Sequence, residues 1–359
     1  MNSTAGGNVG IFKIAATYIG TIVGAGFASG QEVFQFFTTF GIGGIWGIVV
    51  STLLFFFFGY TILVIGQKLQ VKSYVEIVRY SNGKIVGTII DIIITVFLFG
   101  ALAAMIAGAG AIFHEQFHIS PLIGTILMAV LTLLTVLTGI SGVINAISYV
   151  VPVLLGSVLF ICIYSLLRNP ITSEEINIAS ELSGAAPHWI ISAINYASYN
   201  LVIAIAILGP LGARAKGGKS LFWGALLGGL GLGIGVIAIN FSVLTNIVEA
   251  STVEVPMITI AQNISPIIQL IFAVVLFAEV YTTAVGNLYG FISRLDFVKA
   301  NLKKWMIIGT TVIAFAVSQL GFSTMVEYLY PAVGYGGMLL LIGLLYRWLF
   351  KRDDLRSRS

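Results

Sequence analysis

Gly20-Thr21-Ile22-Val23-Gly24-Ala25-Gly26-Phe27-Ala28-Ser29-Gly30-Gln31-Glu32 is the stretch on which the fold of this chain turns. It lies inside the first long apolar run, and four of the eleven residues from Gly20 to Gly30 are glycine. Each glycine costs a helix about 1 kcal/mol relative to alanine, so the run is weakest where a membrane-crossing helix should be continuous. Two readings are open. Small residues allow close helix packing. Alternatively the helix unwinds, and its freed amides and carbonyls line a cavity, the setting in which non-helical backbone is tolerated at membrane depth. The second is favoured because Ser29-Gly30-Gln31-Glu32 is too polar for a turn facing lipid.

The membrane itself follows from composition. Of 359 residues, 58% are hydrophobic and 9% charged, against roughly 25% charged in soluble domains. Such a chain cannot cover a water-facing surface, which excludes a soluble enzyme, a nucleic-acid binder and a disulfide scaffold. The one cysteine, Cys162, lies in an apolar run and has no partner in the chain. The polar start runs directly into the first apolar segment, which is expected to be a retained helix and not a cleaved signal.

A helix needs about 20 mostly apolar residues to cross the hydrocarbon. Ten such runs are present, at roughly 11–37, 42–66, 85–113, 121–137, 143–167, 189–211, 221–248, 264–292, 305–320 and 324–350. With the N-terminus inside, every Lys and Arg except Arg168 falls on an inner segment, while Glu115, Glu174, Glu175, Glu181, Glu249 and Glu254 fall outside. This obeys the positive-inside rule and places both termini in the cytoplasm, with 351–359 as a cytoplasmic tail. All five Trp residues lie near span ends, where their rings suit the interface. The expectation is a multi-pass, all-α protein of the cell membrane, one domain over 1–359. The polar loop 168–188 divides it into five spans and five. Since five is odd, similar halves (10–168 and 188–350) would be inverted repeats, as in secondary transporters.

Polar groups at mid-membrane depth are candidates for function. The sixth span, inverted counterpart of the first, holds Asn195-Tyr196-Ala197-Ser198-Tyr199-Asn200. A second interruption here would pair with the first, although interhelical hydrogen bonds alone also account for it. In the eighth span Glu279, Thr282 and Thr283 are spaced i, i+3, i+4 and share a face. A carboxylate at that depth is costly and functional by default, and threonine hydroxyls are hard donors for a small cation. Either Thr alone is explained by a bond to its own helix carbonyl. Asp91 near the start of span 3 has the option of snorkelling to the interface. Glu32 and Glu327, near the outer ends of spans 1 and 10, are candidates for outer gate residues or plain interfacial charges. His114, His118 and His188 are too scattered for a metal site, and no HExxH, Walker loop, nucleophile elbow or Cys pair is present. An enzyme is not expected.

The 20–32 stretch resembles the first-helix signature of the YkvI family of bacterial membrane proteins, similar in turn to the amino acid–polyamine–organocation superfamily. The resemblance implies a LeuT-like 5+5 inverted-repeat fold with discontinuous helices 1 and 6. It also implies a sodium site made by the carbonyls of Gly20 and Val23, the carbonyl of Glu279 and the hydroxyls of Thr282 and Thr283. Departures are Thr21 and Phe27, where neurotransmitter-type symporters carry Asn for another sodium site, and ten spans without the two further C-terminal helices of many relatives. The expected activity is cation-coupled transport of a small solute, an amino acid or related zwitterion, with Na+ or H+ as coupling ion and no other cofactor. Gly24, Ala25, Gly26, Phe27 and Gly30 would receive the solute's carboxylate, and Tyr196, Ser198, Tyr199 and Asn200 would complete the pocket. The bundle of spans 1, 2, 6 and 7 would rock against spans 3, 4, 8 and 9. Alternatives are a proton-coupled transporter using Glu279 and a sensor of the same fold that binds without transporting. The partners are the solute and the bilayer; nucleic acid is not expected, and the oligomeric state is not legible.

Overall fold

The structure, a computed structural model, describes residues 9–71, 73–138, 141–294 and 300–350. The expected tail 351–359, with Lys72 and Lys299, lies outside the described residues. Among these residues the regular elements are helices, with a lone bridge between Val9 and Ala215. The first apolar run is three helices: α1 (Ile11–Ile22), α2 (Ala25–Ser29) and α3 (Gln31–Phe36). They are followed by α4 (Ile42–Leu69), α5 (Tyr74–Phe117), α6 (Pro121–Thr138) and α7 (Ser141–Arg168). A short helix, α8 (Ser173–Glu181), occupies the loop between the halves. Next come α9 (Trp189–Ala213), α10 (Gly218–Leu244), and the short α11 (Ile247–Ala250) and α12 (Pro256–Ile264). The chain ends on α13 (Pro266–Ser293), α14 (Ala300–Ser318), α15 (Phe322–Thr324), a π-helical turn (Met325–Leu329) and α16 (Tyr330–Phe350). Among the described residues six helices are long and apolar enough to cross a membrane, and three shorter apolar helices lie within the first, fourth and fifth runs.

The helices sort into two packed groups. α1, α4, α9 and α10 pack on one another, and α5, α6, α13 and α14 form a second group, with α7 against α13 and α10 and α16 against α9 and α5. These are the two sets the sequence assigns to bundle and scaffold. Within the bundle α4 and α9 approach backbone to backbone. A Cβ on Gly66 would strike the Gly209 carbonyl, and one on Gly212 would strike the Leu63 carbonyl. This is the small-residue packing that lets membrane helices gain dispersion energy at short range. Gly66→Val is therefore expected to destabilise by about 3 kcal/mol or more, at the upper end for overpacking. Its readout is loss of monodisperse protein in detergent; normal yield and melting would show that the two helices can part without penalty.

Two expected elements differ. The break in the sixth span is absent: α9 is one helix of 25 residues. Two of its polar side chains bond sideways to α16 and a third bonds within α9, while Asn195 Oδ1 and the Tyr196 hydroxyl are buried without a partner among the described residues. Asn195 Nδ2 donates to the Pro331 carbonyl (2.9 Å), Ser198 Oγ to the Gly334 carbonyl (2.8 Å) and Asn200 Nδ2 to the Tyr196 carbonyl one turn back (3.0 Å). Interhelical bonds of this kind are worth about 0.6 kcal/mol each in membrane proteins, and the two from Asn195 and Ser198 hold α9 to α16 without unwinding it. The third span also begins earlier than expected. Ser73 caps α5 in a capping box with Glu76, and Gly83 (φ 72°) kinks the helix between a short N-terminal segment and the long apolar one.

Candidate functional site at the helix break

Helix α1 ends at Ile22, and Val23 (ψ 105°) and Gly24 (ψ −170°) are extended. The last four carbonyls of a helix lack partners in their own helix, so those of Gly20 to Val23 are free toward the break. The chain re-enters a helix at Ala25, then turns again at Gly30. Its left-handed φ of 83° suits glycine, and it separates α2 from α3. The glycine cluster thus makes two reorientations, not one.

The break opens into a cavity of about 1040 Å³. Its walls are the C-terminal half of α1 with the break up to Gly26, the middle of α5 and α9, and the C-terminal half of α13 from Glu279 to Ser293. Tyr74 and Arg294 stand at its far end, the side to which the basic residues assign the cytoplasm. The cavity therefore runs from mid-depth to one face of the protein.

Of the expected solute contacts, Gly24, Ala25, Gly26, Tyr199 and Asn200 line this cavity. Phe27, Gly30, Tyr196 and Ser198 are placed elsewhere. Phe27 points at Gly235 on α10, and Gly30 abuts Met257 and Pro256 of α12. Tyr196 packs its ring on Phe37 (centroids 4.8 Å) and Phe55 (5.8 Å), and Ser198 is engaged with Gly334. All five residues of the expected cation site, Gly20, Val23, Glu279, Thr282 and Thr283, line the cavity together. Thr282 Oγ1 donates to the Glu279 carbonyl (3.0 Å) and Thr283 Oγ1 to Glu279 Oε1 (3.5 Å). Glu279 is 4% exposed, and its Oε2 is buried with no hydrogen-bond partner among the described residues. Gly24 faces Thr283 across the bundle–scaffold boundary, a Cβ built there lying 4.0 Å from Oγ1.

Glu32 is a correction. Of the two options, the plain interfacial charge is excluded, because Glu32 is 6% exposed and part of the cavity wall. Its Oε2 accepts from the Tyr199 hydroxyl at 2.5 Å, and its carboxylate lies over Gly26, where any Cβ would collide with it. Glu327 is half-buried in the π-helical turn.

Asp91, expected to snorkel, is paired: Arg294 Nη1 donates to its Oδ1 at 2.6 Å, and the Tyr74 hydroxyl donates to the same oxygen. The guanidinium also sits over the Tyr74 ring, 5.0 Å from its centroid. The sequence held a signal for this pair, since Arg294 ends span 8 at the depth where Asp91 begins span 3.

Outside the cavity, carboxylates cap backbone amides. Glu115 accepts from the amides of Glu254 (2.6 Å) and Val255 (3.0 Å), and Glu254 accepts from those of Phe322 (2.8 Å) and Ser323 (3.4 Å). Gln31 Nε2 in turn donates to Ser323 Oγ (3.1 Å). This chain ties the first span to the last on the side away from the cavity mouth. Glu254→Ala, in a Cys162→Ser background, is expected to raise impermeant-maleimide labelling of a Phe34→Cys reporter, a buried position on α3 outside the network, several-fold. Unchanged labelling would reduce the network to helix capping.

No family model matches the chain. It is 31% identical over 343 residues to the membrane protein YkvI of Bacillus subtilis (strain 168), covering 96% of this chain and 97% of the relative. Among solved structures it is similar to MhsT in complex with L-phenylalanine, with a TM-score of 0.63, 18% identity, and coverage of 99% of this chain and 92% of that one. It is also similar to a substrate-bound, outward-open Na+-coupled sialic acid symporter, with a TM-score of 0.62, 14% identity, and coverage of 96% and 80%. The fold is the LeuT-like one, built with a broken first helix and an unbroken sixth. The long apolar helices, their packing in two groups and this relationship make the chain a multi-pass membrane protein that belongs to the YkvI family.

Proposed function

We propose that this protein is a cation-coupled secondary transporter that moves a small organic zwitterion, such as an amino acid, by alternating access. The observation that carries this reading is the single cavity joining the break at Gly24 to one face of the protein, with the five expected cation ligands in its wall. In such a cavity the free carbonyls of Gly20 and Val23 and the hydroxyls of Thr282 and Thr283 are oxygen donors able to replace part of the hydration shell of Na+. The carbonyls belong to the bundle and the hydroxyls to the scaffold. A cation held between them would favour the arrangement in which the two groups approach, and a ligand shifts an equilibrium by its differential affinity for the two states. The arrangement with a cavity open at the Tyr74–Arg294 end is one member of such a cycle. The solved structures sharing the fold lend support, one holding L-phenylalanine and one being Na+-coupled.

A second reading has its own observation. Glu279 is a buried carboxylate whose Oε2 has no partner among the described residues, and unpaired charge at membrane depth is costly. A proton on Glu279 would remove that cost, making this residue the coupling group. Proteoliposomes loaded with an amino-acid mixture, then diluted into labelled amino acids, separate the two. Sodium coupling predicts uptake driven by an inward Na+ gradient at equal pH; proton coupling predicts uptake driven by a pH gradient in choline buffer. Uptake under neither gradient, alongside ligand binding in detergent, would favour a sensor.

A further inference from the structure

The cation site accounts for Glu279 but leaves a second buried carboxylate, Glu32, in the same cavity wall. The surroundings of Glu32 are unlike those of a structural ion pair. Its Oε2 is held by the neutral Tyr199 hydroxyl (2.5 Å), and its other face rests on Gly26. Among the described cavity-lining residues the cationic side chain is Arg294, at the far end and already engaged with Asp91. The acidic lining residues are Glu32 and Glu279. The middle of the cavity is therefore an excess of carboxylate with no fixed counter-charge.

Next to Glu32 stand three aromatic rings. Tyr199 and Tyr330 have centroids 5.2 Å apart, Phe97 and Tyr330 5.7 Å, and Phe97 and Tyr199 6.4 Å, closing a triangle. All three rings line the cavity. They come from three separate elements, α5, α9 and α16, which makes their convergence beside a carboxylate a product of the fold. A carboxylate beside aromatic faces is the chemistry that receives an ammonium group: the charge is met by the oxygens, and its C–H and N–H edges by the ring quadrupoles.

We propose that Glu32, with Phe97, Tyr199 and Tyr330, forms the ammonium subsite of this cavity. The solute it selects carries a protonated or quaternary amine, and Glu32 is the specificity-determining residue. The inference rests on the reading of this cavity as a solute site but not on transport itself. Gly26 is part of the device, because only a residue without a side chain lets the carboxylate lie where it does. Tyr199 orients it by donating to Oε2, leaving Oε1 for the solute. Bound ammonium supplies the counter-charge that the protein lacks, so binding and charge balance are the same event.

The test is binding in detergent with the full chain, read by thermal shift and calorimetry, so that it stands apart from transport. The probes are phenethylamine and choline (amines), L-phenylalanine and L-leucine (zwitterions), and the deaminated counterparts 3-phenylpropionate, 4-methylpentanoate and phenethyl alcohol. At least one ammonium-bearing probe is expected to stabilise the protein, with its deaminated counterpart at least about tenfold weaker, the range for a lost charge-assisted bond. Binding of amines without zwitterions would make the cargo an organic cation; binding of zwitterions would place the carboxylate at the break. Glu32→Gln, which keeps an acceptor for Tyr199, should lose this preference. Phe97→Leu leaves the carboxylate untouched and should weaken ammonium probes by about 2- to 30-fold, as expected for a lost cation–π face. Sodium-induced stabilisation, assigned to Glu279 and its threonines, should persist in both. No binding by any ammonium probe, equal binding by the deaminated set, or an unchanged preference in Glu32→Gln together with Phe97→Leu overturns the proposal. Loss of sodium stabilisation in the wild type would instead count against the coupling site alone.

Discussion

The Thr282→Ala, Thr283→Ala double variant is expected to lose sodium-stimulated uptake while keeping its fold. Both hydroxyls lie on the face of α13 that meets the broken first span, with Gly24 opposite Thr283. Hydrogen bonds and contacts to a charged group are worth about 1.5–3 kcal/mol each, so removing two of five donors should weaken the cation by roughly two to four orders of magnitude. Stability should change little. Alanine is the better helix former, and the bonds lost are to Glu279 on the same helix. The measurement is uptake against external Na+ in proteoliposomes, with melting temperature as control. Wild-type sodium dependence in the double variant would sink the site. Glu279→Gln then discriminates. It retains the main-chain carbonyl, so sodium dependence should survive if that oxygen is the ligand, whereas response to a pH gradient should vanish if the carboxylate carries a proton.

The helix face of Glu279, Thr282 and Thr283 and the break in the first span were legible because their signals are local, whereas joining Gly20 and Val23 to that face as one cation site was implied by the family resemblance and remains a proposal. A carboxylate with threonines at i+3 and i+4 shares a helix face wherever the helix goes, and the glycine cluster weakens a helix through its own backbone. The long apolar runs are equally local, which is why helices form over most of them. What sequence could not deliver was set by neighbours. The polar run 195–200 reads as an interruption, but Pro331 and Gly334 of α16 offer carbonyls at the right height, so α9 needs no break. The burial of Glu32 was missed for a geometric reason. Counting residues outward from Gly24 assumes a straight helix, whereas the extended Val23–Gly24 pair and the left-handed Gly30 redirect the chain twice and leave the carboxylate beside Tyr199. The rings around it, from α5, α9 and α16, are distant in sequence and carry no local mark.

Gly26→Leu is expected to abolish uptake with near-normal expression. A Cβ at this position falls on the Glu32 carboxyl group, so even alanine must push that side chain from its seat. The group is the far end of a flexible chain, and it has room to swing into the cavity. Gly26→Ala should therefore fold and show a weakened, not absent, activity. The loss is bounded by the Tyr199–Glu32 bond, about 1.5–3 kcal/mol for a charge-assisted contact. Leucine adds three more carbons, which project into the space a solute would occupy and cannot retreat into the packed backbone behind. Folding is spared for the same reason, since a cavity of about 1040 Å³ accommodates the side chain without displacing a helix. Uptake, ligand-induced thermal shift and detergent monodispersity measured on the three proteins separate these effects. A graded series, wild type above alanine above leucine, with unchanged monodispersity places solute binding at the break. Normal uptake by Gly26→Leu would leave the glycine cluster as a packing device and remove the break from the solute pathway.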